Sequence, residues 1–240
     1  MSEPLTYLDR RGSYCSSPLE RIKKHLWVFG DSFTKGNGCL ANEVYTKYKK
    51  SDKDIIWPEI ISSKLNIPLV NIAMGMFSND KILDTILEFY NSIYEGDLVI
   101  ISKTFFTRFD IPSKNGKYFM TLSAGVDNSY LSTQHFVTYT EEELNTLQNI
   151  AIIVDNKLIL ERWNFRFNFL EQLIRKKGVE VLVWNVEDVF RDYETIQDAT
   201  NNEINDGHWS YKGHKDFADF ILSKIAGSNT LPVPIKNKLI

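Results

Sequence analysis

Two stretches far apart in the chain carry residue types that could together activate a hydroxyl. Ser32 stands in Val28-Phe-Gly-Asp-Ser-Phe-Thr34, where an apolar run gives way to a polar, glycine-containing one. His208 stands in Asn205-Asp206-Gly207-His208-Trp209-Ser210. A serine hydroxyl is a poor nucleophile until a base within hydrogen-bond reach takes its proton. Imidazole titrates near neutrality and can shuttle that proton, provided a carboxylate fixes its tautomer. Asp206, two residues before His208, is the nearest carboxylate. Gly75 follows a short apolar run, and its N–H can approach an oxyanion without side-chain obstruction. Each of these also has an ordinary explanation: a serine capping a turn, a solvated loop histidine, a glycine in a tight turn. His214 falls inside the next helix and reads as an anchor for the turn, while His25 and His135 lack comparable context.

The elements that must position these groups are legible from periodicity. His25–Phe29, Pro68–Ala73, Leu98–Ile101 and Val179–Trp184 read as strands. Helical spacing covers Ile55–Leu65, with Ile56, Ile60, Ile61 and Leu65 on one side and Pro58 in the first turn. A second stripe, Ile82, Ile86, Phe89 and Ile93, follows a cap at Ser78 or Asn79. Thr140-Glu-Glu-Glu143 is a capping box for one long helix or two. Its apolar face would run through Leu144, Leu147, Ala151, Val154 and Leu158, then Phe167, Leu170 and Ile174. The last helix spans about Ser210–Ala226, with Phe217, Phe220, Ile221 and Ile225 inward and Gly227 as its stop. Residues 103–139 mix aromatics with Pro112, Asn115-Gly116 and Gly125, which predicts loops and a hairpin around Asn115-Gly116. Alternating strands and helices predict an open parallel sheet covered on both faces. Such sheets carry active groups at the C-terminal ends of their strands, near a reversal of strand order. Ser32, Gly75 and Thr104 each follow a strand, and His208 precedes the last helix, so four placements converge on one edge.

Val28–Thr34 resembles the first block of the SGNH (GDSL) hydrolases, whose Gly-Asp-Ser serine is the nucleophile. Asn71-Ile-Ala-Met-Gly75 with Ser78-Asn79-Asp80 is similar to the second block, whose glycine N–H faces the oxyanion. Asp206–His214 resembles the last block, which carries the acid and the base. The resemblance spans Leu26 to about Ala226 and implies a flavodoxin-like α/β/α sandwich and ester hydrolysis. It implies Ser32, His208 and Asp206 as the catalytic set, with Ser32, Gly75, Thr104 and Asn79 around the oxyanion. Two departures stand out. The third-block asparagine has no counterpart in Ile101-Ser-Lys-Thr-Phe-Phe106; Thr104 takes the slot, and Asn79 is a second donor or a helix cap. The family's commoner aspartate position, three before the histidine, holds Asn205, so the aspartate sits at the shorter spacing seen in some acyl esterases and transferases.

The 240 residues, 43% apolar and 13% aromatic, suffice for one packed domain. The expected layout is an N-terminal extension over 1–24, a hydrolase domain over 25–227 with an insertion at about 103–140, and a tail over 228–240. A net charge of −3 without a basic stripe argues against nucleic acid as partner. Lys47-Tyr-Lys-Lys50 is followed by acidic residues and reads as a solvated loop. Cys15 and Cys39, the two cysteines, read as separate thiols. No signal-peptide pattern or membrane-length apolar run occurs, which points to the cytoplasm or to a phage or secreted particle. The lipase elbow Gly-x-Ser-x-Gly is absent, as are phosphate loops and metal motifs, so no cofactor and no metal are expected. The insertion's aromatics, Phe105, Phe106, Phe109, Tyr118, Phe119 and Tyr130, can stack on sugar rings but more simply pack the insertion onto the sheet. Arg108 reads as a surface ion pair, with an anionic substrate as the other option. A glycan-binding module without strong catalysis and an O-acyltransferase are the rival functions.

Overall fold

The computed structural model describes residues 24–37, 56–106, 108–112, 119–123, 142, 145–146, 149 and 156–227. Its strands are β1 (Leu26–Phe29), β2 (Leu69–Asn71), β3 (Leu98–Lys103), β4 (Arg108–Pro112), β5 (Phe119–Ser123) and β6 (Glu180–Asn185). Four of them form a parallel sheet in the order β2-β1-β3-β6, and β4 pairs antiparallel with β5. The central strands read Leu-Trp-Val-Phe and Leu-Val-Ile-Ile without polar interruption and are buried throughout. That is what strands covered on both faces require.

The helices are α1 (Ser32–Lys35), α2 (Trp57–Leu65), α3 (Asn79–Phe89), α4 (Asn156–Arg175), α5 (Val186–Val189), α6 (Ile196–Ala199) and α7 (Tyr211–Ile225). Alternation along each strand splits the core into two layers. Trp27, Phe29, Val99 and Ile101 pack with Ile82 and Ile86 of α3 and with Trp163, Phe167, Leu170 and Ile174 of α4. Leu26, Val28, Leu98 and Ile100 pack with Trp57, Ile60 and Ile61 of α2 and with Phe217, Ala218 and Ile221 of α7. The chain moves one way from β1 to β2 with α2 on one face, then the other way to β3 and β6 with α3 and α4 on the opposite face. Right-handed crossovers demand that change of face whenever the direction reverses. The fold is an α/β/α sandwich of flavodoxin-like order, as expected.

At the lower edge Asp97, buried, accepts from the backbone N–H groups of His25 and Tyr94 at 2.8 and 3.0 Å and from Trp27 Nε1 at 2.9 Å. Three donors to one carboxylate tie the start of β1 to the turn that opens β3.

Several expectations are corrected. β3 runs on to Lys103, two residues past the apolar run, because β6 pairs with it to the end. Leu158 is 63% exposed. The buried stripe of α4 runs through Trp163, and Leu158 sits roughly 140° round the axis from it at 3.6 residues per turn. Ser78, not Asn79, caps α3, its hydroxyl accepting from Lys81 N at 3.1 Å. Arg108 is not a surface ion pair; it lies largely buried against Asp31. The hairpin is present, with Pro112 opposite Phe119, so Asn115-Gly116 falls in its connection, outside the described residues. The Thr140 box apart from Glu142, the apolar positions Leu144, Leu147, Ala151 and Val154, Lys47–Lys50, both cysteines, His135, Tyr118, Tyr130 and the tail also lie outside them. Helices α5 and α6, in a stretch without amphipathic period, were not anticipated. Among the described residues no helix is long and apolar enough to cross a membrane.

Candidate active site

The outward connections of β1 and β3 lead to opposite sides of the sheet, the topology that in open α/β sheets places a crevice at their C-terminal ends. β1 ends at Phe29, and Gly30-Asp31 turns directly into α1 with Ser32 as its first residue. A Cβ on Gly30 would lie 2.3 Å from Thr34 Oγ1 and 2.8 Å from Ser102 Cβ, so the turn closes only around glycine. Asp31 caps α1, its Oδ1 accepting from Phe33 N at 3.1 Å. Ser32 is 4% exposed.

The segment after β2 is held against the same turn. Met74 N donates to Gly30 O at 3.2 Å, and Asn71 Nδ2 to Thr34 O at 3.3 Å. Gly75 faces the side chain of Asn37, just past α1. Asn79, at the start of α3, reaches across to the end of β3: its Oδ1 accepts from Thr104 N at 2.9 Å and its Nδ2 donates to Thr104 O at 3.1 Å.

Thr104 does not offer its hydroxyl to the crevice. Its single O–H proton is donated to Asp31 Oδ2 at 2.6 Å, while its oxygen accepts from Arg108 Nη1 at 3.0 Å. A hydroxyl has one proton, so with that proton on Asp31 the Thr104 side chain has none to offer an oxyanion in this arrangement. One of the two Asn79 Nδ2 protons is committed to Thr104 O.

On the other side of the crevice, Asp206 Oδ1 accepts from His208 Nδ1 at 2.7 Å and from His208 N at 2.9 Å. Chiefly the imidazole hydrogen bond, against some opposition from burial, holds the Asp206 carboxyl below its ordinary range. A carboxylate only accepts, so Nδ1 is the donor, and in the neutral ring Nε2 is the nitrogen left to accept a proton. The short Asp-x-His spacing therefore does reach the ring. His208 and Phe33, the neighbour of Ser32, have ring centroids 5.1 Å apart, and Phe33 also meets Trp209 at 5.2 Å. The two halves of the site pack against each other through these aromatics.

What pins the His208 loop could not be read from the sequence. Ile196 N, opening α6, donates to His208 O at 2.8 Å, and Gln197 N to Asp206 O at 3.0 Å. Thr195 bridges to Trp209, whose Nε1 donates to Phe190 O at 2.9 Å. Glu194 takes both the N–H and the hydroxyl of Ser210, the cap of α7, at 2.9 and 2.5 Å. Gly213 lets α7 approach this strap so closely that a Cβ would lie 2.3 Å from the Glu194 carbonyl oxygen. We expect Gly213→Ala to destabilise the fold by about 1–3 kcal/mol through overpacking against backbone. Urea unfolding measures this; an unchanged midpoint would mean the strap yields freely.

No family model matches the chain, and no curated protein matches it in sequence. Solved structures do match. The psychrotrophic esterase EstA from Pseudoalteromonas sp. is 13% identical, with 85% of this chain and 97% of that one covered, at a TM-score of 0.38. The lipase Lip_vut3 from a goat rumen metagenome is 12% identical over 87% and 99%, at 0.41. A lipolytic protein of the G-D-S-L family from Veillonella parvula is 11% identical over 86% and 100%, at 0.34. In this chain Gly-Asp-Ser leaves the first strand of a β2-β1-β3-β6 sheet, beside the reversal of strand order. The chain has an α/β/α sandwich fold with a parallel sheet of flavodoxin-like order. Within that fold, the Asp31–Thr104–Arg108 cluster beneath Ser32 is the part that the sequence blocks did not announce.

Proposed function

We propose that this protein is a serine esterase of the SGNH type, acting by acyl transfer to water. The observation that carries the reading is the His208–Asp206 pair, packed on the neighbour of Ser32 with Nε2 left to act as base. Ser32 Oγ attacks the ester carbonyl while His208 Nε2 takes its proton. The backbone N–H groups of Ser32 and Gly75, with the remaining Asn79 Nδ2 proton, hold the oxyanion. His208 then returns the proton to the leaving alcohol, and water, deprotonated by the same imidazole, releases the acid. The substrate is a small-molecule or carbohydrate ester. Phe105, partly exposed and 5.2 Å from Phe190, supplies an aromatic face beside Phe33 on which a sugar ring can stack.

One observation favours a second reading, a glycan-binding module with weak catalysis: Thr104's proton lies on Asp31, so nothing at that position replaces the family's side-chain amide. Incubation with a fluorophosphonate followed by peptide mapping separates the two. Stoichiometric modification of Ser32 is expected; no label on folded protein would overturn the esterase reading and send the question to glycan binding.

A further inference from the structure

The ion pair beneath the serine has a role to which no sequence block corresponds. Asp31 is fully buried, and its carboxylate does two things at once. Oδ1 caps the turn bearing Ser32, and Oδ2 takes the Thr104 hydroxyl and, at 3.1 Å, Arg108 Nη1. Arg108 is the first residue of β4, in the insertion. A tight turn, Arg108 N to Phe105 O at 3.1 Å, folds it back so that its guanidinium lies 5.1 Å from the Phe105 ring centre. Its side chain is 13% exposed. Thr104 is itself clamped through its backbone by Asn79, so the cluster joins the ends of β1 and β3, α3 and the insertion hairpin.

A buried carboxylate with its cation removed is an uncompensated charge, and the chain around it must shift to admit water or another donor. Here the carboxylate that would shift is the cap of the nucleophile's own turn. We propose that Arg108 is a positioning residue for Ser32, holding the serine's turn through Asp31 and so coupling the insertion hairpin to the reactivity of the nucleophile. This rests on the esterase reading. It assigns Arg108 no contact with substrate, which distinguishes it from a site for an anionic ester.

The test compares wild type, Arg108→Ala, Arg108→Lys and the double variant Arg108→Ala/Asp31→Asn, each checked for folding by circular dichroism. Turnover of p-nitrophenyl acetate and the rate of fluorophosphonate labelling are read with and without added guanidinium ion. Arg108→Ala is expected to lose about a hundredfold in kcat and in labelling rate, the scale of a small misplacement of a reacting group, with KM within about twofold of wild type. Guanidinium is expected to restore part of the loss. The lysine variant, a point charge without the planar fork, is expected between the two. Removing the stranded charge in the double variant is expected to recover activity over Arg108→Ala alone. A rise in KM at unchanged kcat would overturn the proposal in favour of substrate binding. Loss that follows stability alone, with no response to guanidinium and no recovery in the double variant, would overturn it in favour of a purely structural pair. Wild type that neither turns over nor labels would instead sink the esterase reading on which the proposal stands.

Discussion

Ser32→Ala is expected to lower p-nitrophenyl acetate turnover by roughly 10⁴–10⁶-fold, and His208→Ala by a similar factor. In the proposed mechanism the two residues act as one unit: without the base the hydroxyl is not activated, and without the hydroxyl the base has nothing to activate. The double variant is therefore expected to be no slower than either single one. What survives is expected to come from the proposed backbone donors at Ser32 and Gly75, which neither substitution removes. Asp206→Ala is expected to cost less, about 10²–10⁴-fold, because its part is to fix the Nδ1–H tautomer and ring orientation. Asp206 also takes the N–H of His208, so its loss loosens the loop as well as the ring. Steady-state kinetics on the three single variants and the Ser32/His208 double measure all of this. Additive losses in the double variant would mean that Ser32 and His208 do not work together.

Acid should weaken the fold through His214, which the sequence marked only as an anchor. The ring is 0% exposed in the first turns of α7, 5.7 Å from the Trp209 ring centre, and neither nitrogen has a hydrogen-bond partner among the described residues. Burial, with a small contribution from nearby His208, pushes its pKa from 6.5 down to about 3. The folded state thus keeps His214 neutral, while the unfolded chain binds a proton below about pH 6.5. Between those values the unfolded state binds more protons, so stability is fully present above pH 6.5 and falls as pH drops toward 3. The span amounts to on the order of 5 kcal/mol from this one residue. Urea unfolding of wild type and His214→Phe from pH 8 to pH 4 measures it. The substituted protein should show a distinctly shallower acid decline, and identical slopes would refute the buried neutral histidine as the cause.

The two predictions concern opposite ends of one short segment, Asp206 to His214. The His208 side chain is 30% exposed, while His214, six residues on within α7, is sealed beside Trp209. Spacing alone gives both rings the same chemistry. Their burial separates the ring proposed for proton transfer from one held out of reach of protons.

Much of the architecture was legible because local rules agreed with the global fold. Strands buried on both faces must be uninterruptedly apolar, so β1 and β3 announce themselves. The stripe of α3, the first-turn proline of α2 and the serine-capped start of α7 are local features that tertiary packing left in place. The hairpin was legible from Asn115-Gly116 between β-prone runs. Leu158 failed the same kind of reading because it continues the stripe traced through 144–154, and that phase does not carry over to the face of α4 that buries Trp163 and Phe167.

For the site, the sequence by itself determined the pieces that are contiguous: Gly-Asp-Ser at a strand end, and Asp206 two residues from His208, within reach of its own neighbour's ring. Only the tertiary structure decided what those pieces touch. The sequence reading gives Asp31 no part of its own, yet it is the buried anion that joins Thr104 and Arg108, 73 and 77 residues away. Thr104 looked free to donate and is not, because a hydroxyl has one proton and the nearest buried carboxylate takes it. The strap of Glu194, Thr195 and α6 that pins the His208 loop has no periodicity to betray it. Its hydrogen bonds run mainly to backbone groups, which every residue carries alike, so no pattern of side chains could have revealed them.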